Sequence, residues 1–391
     1  MVHVWWRFWR RFLMPHATDP PKHSPMLANL TDLLGESALE VQEARLDPEA
    51  VGEQLMQNYG LRGTLQRIAT EKDDTFVLTA EGKGDPPSQK YLVKISSSFE
   101  DPDLVDFQSA VLEHVAEEDV FLPVPRILRT VDGQLMIGCF SGSGPFPRIL
   151  RVLSYLDGEP LGTTNVSRAN HEQIGRLDAR LSVALSSFGH PKAKRPLAWD
   201  LANFPKLEPL LRYTESAEMR ELLMRQFAIF DEQIVPRLPD VTHQVVHNDM
   251  NRYNVLIRHG VSNPRSRRFP WKTGIEISGV IDFGDVVYTA LPFDLAIAAS
   301  SQLTPSGSDP WVRARSIVRG YREVRPLTTT ELEVVVWAAP VRVAVRTLLI
   351  NYQSALNPER GVYLNSHITD NLAVLKSASK VSASSVLRGL V

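Results

Sequence analysis

The sequence predicts an α+β protein of two lobes, a smaller strand-rich one at residues 27–153 and a larger, mainly helical one at residues 154–391. Three observations carry that expectation. Between Gly63 and Tyr155 the apolar residues come in short alternating runs bounded by Gly, Pro, Asp and Ser, the period of strands. From His171 onward they recur at helical spacing, as at Ile174, Leu177, Leu181 and Leu185. Between Val245 and Asp285 two short apolar runs flank loops rich in Asn, Asp and Gly, a strand-loop-strand arrangement in the middle of the helical region.

Composition bounds the function. A chain of 391 residues is long enough for two or three conventional domains or for one large two-lobed enzyme. Its single cysteine, Cys139, excludes a disulfide framework and a cysteine zinc site, and fits a reducing cytoplasm. Lys and Arg number 43 against 45 Asp and Glu, so no overall basic field points to nucleic acid. No apolar run approaches the roughly twenty residues of a membrane span.

In chain order, residues 1–26 read as a leader, disordered or placed upstream of a true start at Met26. Residues 1–14, MVHVWWRFWRRFLM, mix aromatic residues with arginines and no acid, which also suits an interfacial membrane anchor. Pro15, Pro20, Pro21 and Pro25 separate them from the rest of the chain and favour the leader. Asp47-Pro48-Glu49 starts a helix that Gly60 ends. Gly63 to Ile68 and Thr75 to Ala80 predict strands joined by a glycine-free turn containing Thr70, Asp73 and Asp74. Tyr91 to Ile95 is a strand with Lys94 among apolar residues, a lysine that either reaches solvent or meets an anion. A helix spans Leu104 to Ala116, with strands after it at Val124 to Leu128, Gly133 to Cys139 and Arg148 to Tyr155.

In the second lobe a helix over His171 to Leu185 precedes Trp199-Asp200. That pair suits a cationic substrate through its ring and its charge, or else Asp200 caps the following helix. Helical stretches are expected through Leu207, Leu210 and Leu211, and from Glu218 to Ile234. Pro292-Phe293-Asp294 opens an apolar helix in which Asp294 caps and braces the preceding loop. In the helix from Glu331 to Tyr352, Arg342 and Arg346 sit one turn apart. They read either as a site for a substrate carboxylate or as a salt-bridged stripe. The Ser-rich residues Lys376 to Val391 read as loosely packed.

The block from Val245 to Asp285 carries the chemistry. It reads VVHNDMNRYNVLI, then a polar loop, then ISGVIDFGD. Phosphoryl transfer requires hard oxygen ligands for Mg2+ and a further carboxylate to orient the attacking hydroxyl. His-x-Asp-x-x-x-x-Asn followed by Asp-Phe-Gly has the form of the catalytic and metal loops of the protein-kinase fold. On that pattern Asp249 orients the substrate hydroxyl, Asn254 and Asp282 hold Mg2+, and His247 braces the loop.

These residues, with SGVIDFGDVVYTALPFDLAIA and GHPKAKRPLAWDL, resemble the aminoglycoside phosphotransferase and choline kinase family, and within it most closely the hydroxylysine kinases. The resemblance spans about Val51 to Gln353. It implies a protein-kinase-like fold and transfer of the terminal phosphoryl of ATP or GTP to a hydroxyl, with Mg2+ as cofactor. The acceptor it implies is a small hydroxylated amine or amino acid, 5-hydroxylysine first, with aminoglycosides, homoserine and choline-type alcohols as alternatives. It further implies that Lys94 meets the nucleotide phosphates, that Gln108 stands where relatives carry the partner acid of that lysine, and that Glu113 is the late acid of the same helix. Thr70 and Thr75 then flank the phosphate turn, and the backbone of Ser154 to Leu156 meets the purine. Asn248 replaces the arginine of protein kinases, which favours a small-molecule acceptor. The glycine-free turn and Gln108 depart from the family pattern and leave a second reading, a nucleotide-binding scaffold without activity.

Overall fold

The computed structural model describes residues 33–34, 43–68, 70, 73–81, 89–262, 273–305, 309–356 and 361–390. The leader and its aromatic segment, residues 1–26, lie outside them. Residue contacts divide the described chain into two compact units, one of residues 43–120 and 124–156, the other of 33–34, 121–123 and 157–390.

The first unit is a sheet between helices. Helix α1 (Pro48–Tyr59) begins where the Asp47 carboxylate accepts the Glu49 amide, and it ends at Gly60, whose φ of 66° a side chain would resist. Strands β1 (Gly63–Ile68), β2 (Asp74–Ala80), β3 (Lys90–Ile95), β4 (Ile127–Leu128), β5 (Ile137–Phe140) and β6 (Arg148–Ser154) form an antiparallel sheet. Its order is β1-β2-β3-β6-β4, with β5 also on β6. Val51, Leu55 and Tyr59 of α1 pack on Phe76, Leu78, Val93, Ile95, Leu150 and Val152. Arg151, between two of those residues on β6, points the other way and meets Gln108 and Ser109 of α2 (Pro102–Glu118). The strand expected at Val124 to Leu128 shrinks to two residues because Pro125 offers no amide to a ladder. The one expected from Gly133 begins only at Ile137, since Gly133 has a φ of 81° and the Thr130 amide donates to the Gln134 carbonyl across a turn.

In the second unit β7 (Glu159–Pro160), β9 (Val255–Ser262) and β10 (Thr273–Val280) form one small sheet, and β8 (His243–Val246) with β11 (Val287–Ala290) another. The helices are α3 (Arg168–Ala184), α4 (Ala217–Ile229), α5 (Leu291–Ser300), α6 (Val312–Val324), α7 (Thr329–Leu356), α8 (Gly361–Ser379) and α9 (Ala383–Arg388). Every residue of α5 is buried, so it forms the centre of this unit. Leu201–Tyr213, expected as an ordinary helix, is a 3-10 run because Pro205 and Pro209 remove the amides an α-helix would use.

The carboxy-terminal expectation is corrected. Residues Lys376 to Leu390 are not loose: α8 continues to Ser379, Ser382 caps α9, and Val386 and Leu390 are buried. Arg319 donates to the Gly389 carbonyl at 2.8 Å, and Arg322 donates to that of Leu390. Apolar spacing outweighs serine content here. Among the described residues no helix is long and apolar enough to cross a membrane.

Candidate active site

Two loops converge in the second unit, one between β8 and β9 and one between β10 and β11. The Ile281 amide donates to the Asn254 carbonyl at 2.9 Å, which fixes one loop to the other. Asn248 (φ 63°) and Asp282 (φ 68°) are the non-glycine residues with left-handed backbone among the described residues. Asn and Asp tolerate that region best, and such conformations persist where surrounding structure enforces them. The enforcement is visible at Asn248. Asp294, 1% exposed in the first turn of α5, accepts the amides of His247 at 3.2 Å and Asn248 at 2.8 Å.

His247 is fully buried. Its Nδ1 accepts the Asp249 amide at 3.2 Å, so its proton lies on Nε2, which donates to the Ile281 carbonyl at 3.2 Å. The Phe283 ring meets it edge-on, with centroids 4.8 Å apart. Burial pulls its pKa down and keeps the imidazole neutral. It links the two loops through both nitrogens.

Asp249 is the focus of the site. Its Oδ1 accepts from Asn251 Nδ2 at 2.9 Å and from Arg342 Nη2 at 2.9 Å, and its Oδ2 accepts from Asn254 Nδ2 at 2.7 Å. The side chain remains 20% exposed, enough for a small acceptor to reach it. Burial pushes its carboxyl up to about 6, against the pull of Arg342.

Asn254 spends Nδ2 on Asp249, which leaves Oδ1 as the atom that could bind a metal. Asp282 is exposed, with Oδ1 accepting the Gly284 amide at 3.2 Å. Asp285 stands close behind them. Burial, then the charges of Asp249 and Asp282, push it up to about 6. Asn254 Oδ1 and the Asp282 carboxylate are hard-oxygen donors of the kind Mg2+ takes, with Asp285 nearby, although among the described residues no group of three or more His, Cys, Asp or Glu side chains is set to hold a metal ion.

Around this centre, Arg342 donates from Nη1 to the Trp199 carbonyl at 2.5 Å and lies 4.8 Å from the indole centroid. The ring face that the sequence offers to a cationic substrate thus carries Arg342. Asp200 is 4% exposed, and its Oδ1 accepts from the Ala202 amide at 3.1 Å and Thr289 Oγ1 at 2.9 Å. It caps the 3-10 run and ties it to β11.

In the first unit, Lys94 Nζ is 2.9 Å from Asp73 Oδ2. Thr75, 1% exposed, pairs across the ladder with Lys94, and its hydroxyl lies 3.1 Å from that of Thr70, which also donates to the Asp73 carbonyl. Both threonines thereby brace the turn. Gln108 Oε1 accepts from Arg151 at 2.5 Å, and Glu113 pairs with Arg129. The Ser154 amide donates to the Arg126 carbonyl at 2.8 Å, while its hydroxyl accepts the Arg126 amide at 2.8 Å. Leu156 ends this unit.

Three contributors are not singled out by the sequence. Asn251 is one of the donors to Asp249. Asp285 is visible there only as the tail of the DFGD motif. Arg195 donates to the carbonyls of Gly284 at 2.5 Å and Val286 at 3.2 Å and clamps the loop between β10 and β11, yet nothing marks it among the other cations of KAKRP.

The phosphotransferase enzyme family, that of the aminoglycoside phosphotransferases, matches residues 64–327 and takes in both loops. The chain belongs to this family. It is therefore an enzyme, a phosphotransferase with an alcohol group as acceptor. Among similar proteins, the hydroxylysine kinase of Mus musculus is 28% identical over 77% of this chain and 80% of its own. The homoserine kinase of Methylobacillus flagellatus is 28% identical over 72% and 76%. The structure of a microcompartment-associated aminopropanol kinase superposes with a TM-score of 0.61, covering 87% of this chain and 99% of its own at 17% identity. That likeness shows the fold, the protein-kinase-like fold of small-molecule phosphotransferases.

Proposed function

We propose that the protein transfers the terminal phosphoryl of ATP, bound with Mg2+, to the side-chain hydroxyl of a small amino acid, with 5-hydroxylysine as first candidate. The observation that carries the reading is Asp249, a partly exposed carboxylate held by three donors beside the oxygens of Asn254 and Asp282. Asp249 orients the acceptor hydroxyl and takes its proton as the oxygen attacks the terminal phosphorus and ADP leaves. Asn254 and Asp282 would hold Mg2+, which neutralises phosphate charge when bound. Lys94 would trade Asp73 for the phosphates. Similarity to hydroxylysine kinases along more than three quarters of the chain supports the acceptor.

Nucleoside diphosphate release tests this. Purified protein with Mg2+ and ATP or GTP is given 5-hydroxylysine, homoserine, choline, ethanolamine and kanamycin in turn. Turnover with an amino acid supports the reading, and GTP in place of ATP would redirect the donor. Turnover with choline or kanamycin alone overturns the acceptor. Asp282→Ala should weaken Mg-nucleotide binding at least tenfold, and an unaltered Mg2+ requirement contradicts its role.

A further inference from the structure

Beside Arg342, the arginine that holds Asp249, stand two further cations that the chemistry above does not use, Arg346 and Arg252. Arg342 and Arg346 project from one face of α7, and Arg252 belongs to the catalytic loop three residues after Asp249. Arg342 is committed to Asp249 and Trp199. Arg346 is half-buried, and it donates from Nη2 to Asn371 Oδ1 on α8. Two further donors at this contact have no protein acceptor among the described residues. They are Arg346 Nε and Asn371 Nδ2, the latter on a residue 1% exposed.

Native proteins seldom leave buried donors unpaired, and a donor without an acceptor costs about 1–3 kcal/mol. Here the unpaired atoms are donors, and they stand in a positive field. Burial and the neighbouring guanidinium groups of Arg252 and Arg342 pull Arg346 down to about 10, while Asp370 and Tyr253 oppose them. A stripe of surface ion pairs, the other reading of this helix face, would give Arg346 a carboxylate partner. Among the described residues its hydrogen-bond partner is a neutral amide instead.

We infer that Arg346, backed by Asn371 and flanked by Arg252 and Arg342, is the specificity-determining site for the carboxylate of the acceptor. The inference rests on the amino-acid reading above and deepens it. A carboxylate brings the acceptor oxygens that Arg346 Nε and Asn371 Nδ2 lack, and its charge offsets three arginines. Acceptors that are purely cationic meet repulsion in the same place. Arg342 serves two ends, positioning Asp249 directly and sharing the field that draws the carboxylate to the hydroxyl's side of it.

Two pairs of acceptors test the assignment, each an amino acid and its decarboxylated form. They are 5-hydroxylysine with 1,5-diaminopentan-2-ol, and homoserine with 3-aminopropan-1-ol. Wild-type enzyme should favour the acid of a pair by about 100-fold in kcat/KM, the scale of a charge-assisted pair of hydrogen bonds. Arg346→Gln should remove most of that preference through KM for the acid, leaving the decarboxylated acceptor and the KM for ATP within about threefold. Arg346→Lys should restore part of it, which a variant that merely misfolds does not do. Equal use of both members by wild-type enzyme overturns the inference and leaves the phosphotransferase reading intact. So does an equal loss with both members in Arg346→Gln. No turnover with any of the four defeats the amino-alcohol reading and this inference together.

Discussion

At the scale of single residues the site divides into groups that touch the reaction and groups that hold them. On the function proposed above, Asp249 belongs to the first kind and Asp294 to the second, although both are aspartates in the same unit. Their environments differ: Asp249 keeps a fifth of its side chain in solvent, whereas Asp294 is closed in and spends both oxygens on backbone amides. Asp249→Ala should lower kcat by about a thousandfold, within the usual range for a general base. Its Mg-ATP affinity, read by calorimetry, should stay within a few fold, because the base is not needed to bind phosphates. Loss of nucleotide binding alongside turnover would reassign the residue. Asp294→Ala strips the acceptor from two buried amides and should cost about 2–4 kcal/mol in urea unfolding. It should also lower kcat, because Asn248 then lacks the contact that enforces its left-handed backbone. An unchanged stability would show that the brace is dispensable.

At the scale of elements, the helical unit is held by close backbone approach as much as by side-chain packing. Helices α3 and α6 meet through reciprocal glycines. A methyl group on Gly175 would stand 1.9 Å from the Ile317 carbonyl oxygen, and one on Gly320 would stand 1.9 Å from that of Glu172. Both obstacles are backbone, so neither can swing aside. Gly175→Ala should therefore destabilise by about 1–3 kcal/mol, the cost of overpacking. Gly189→Ala, with nothing within 4 Å of the added methyl, should change stability by less than about 0.5 kcal/mol. Chemical denaturation of the two variants side by side checks this, and equal midpoints would refute the tight crossing. The same elements also show where local propensity yields. Prolines convert Leu201–Tyr213 to a 3-10 run, and α4 passes into a π turn at Phe230–Ile234 and then into a 3-10 run at Val235–Asp240 that holds Pro236 and Pro239.

At the scale of the whole molecule, the family match reaches residue 327, yet the structured chain extends well beyond it. Helices α7, α8 and α9 come after the matched region, and the first two supply Arg342, Arg346 and Asn371. The part of the chain outside the match thus furnishes the groups assigned above to acceptor choice, consistent with functional variation being grafted on a shared fold. The last helix contributes stability as well. Removing residues 381–391 deletes Val386 and Leu390, each a buried side chain of about 1.5–3 kcal/mol, and the bonds from Arg319 and Arg322. The truncated protein should melt several degrees lower, as read by calorimetry. An unchanged melting temperature would return this segment to the loose packing that its composition suggests.

The chemistry is legible in the sequence because it depends on short, fixed spacings. His247, Asp249 and Asn254 lie within one loop, and Asp282 to Asp285 within another, so the pattern survives without knowledge of the fold. Alternation likewise discloses β2, β3 and β6, and helical spacing discloses α3 and α7, since burial of one face imposes those periods locally. Spacing is silent on pairings between distant segments. Arg342 reaches Asp249 across 93 residues, Arg195 reaches Gly284 across 89, and Arg346 meets Asn371 on a different helix. Residue order alone therefore specifies the reaction that the two loops are built for. Which cations stand beside Asp249, and which donors there lack an acceptor among the described residues, is settled by how the helices pack, because those neighbours come from segments that no local pattern links.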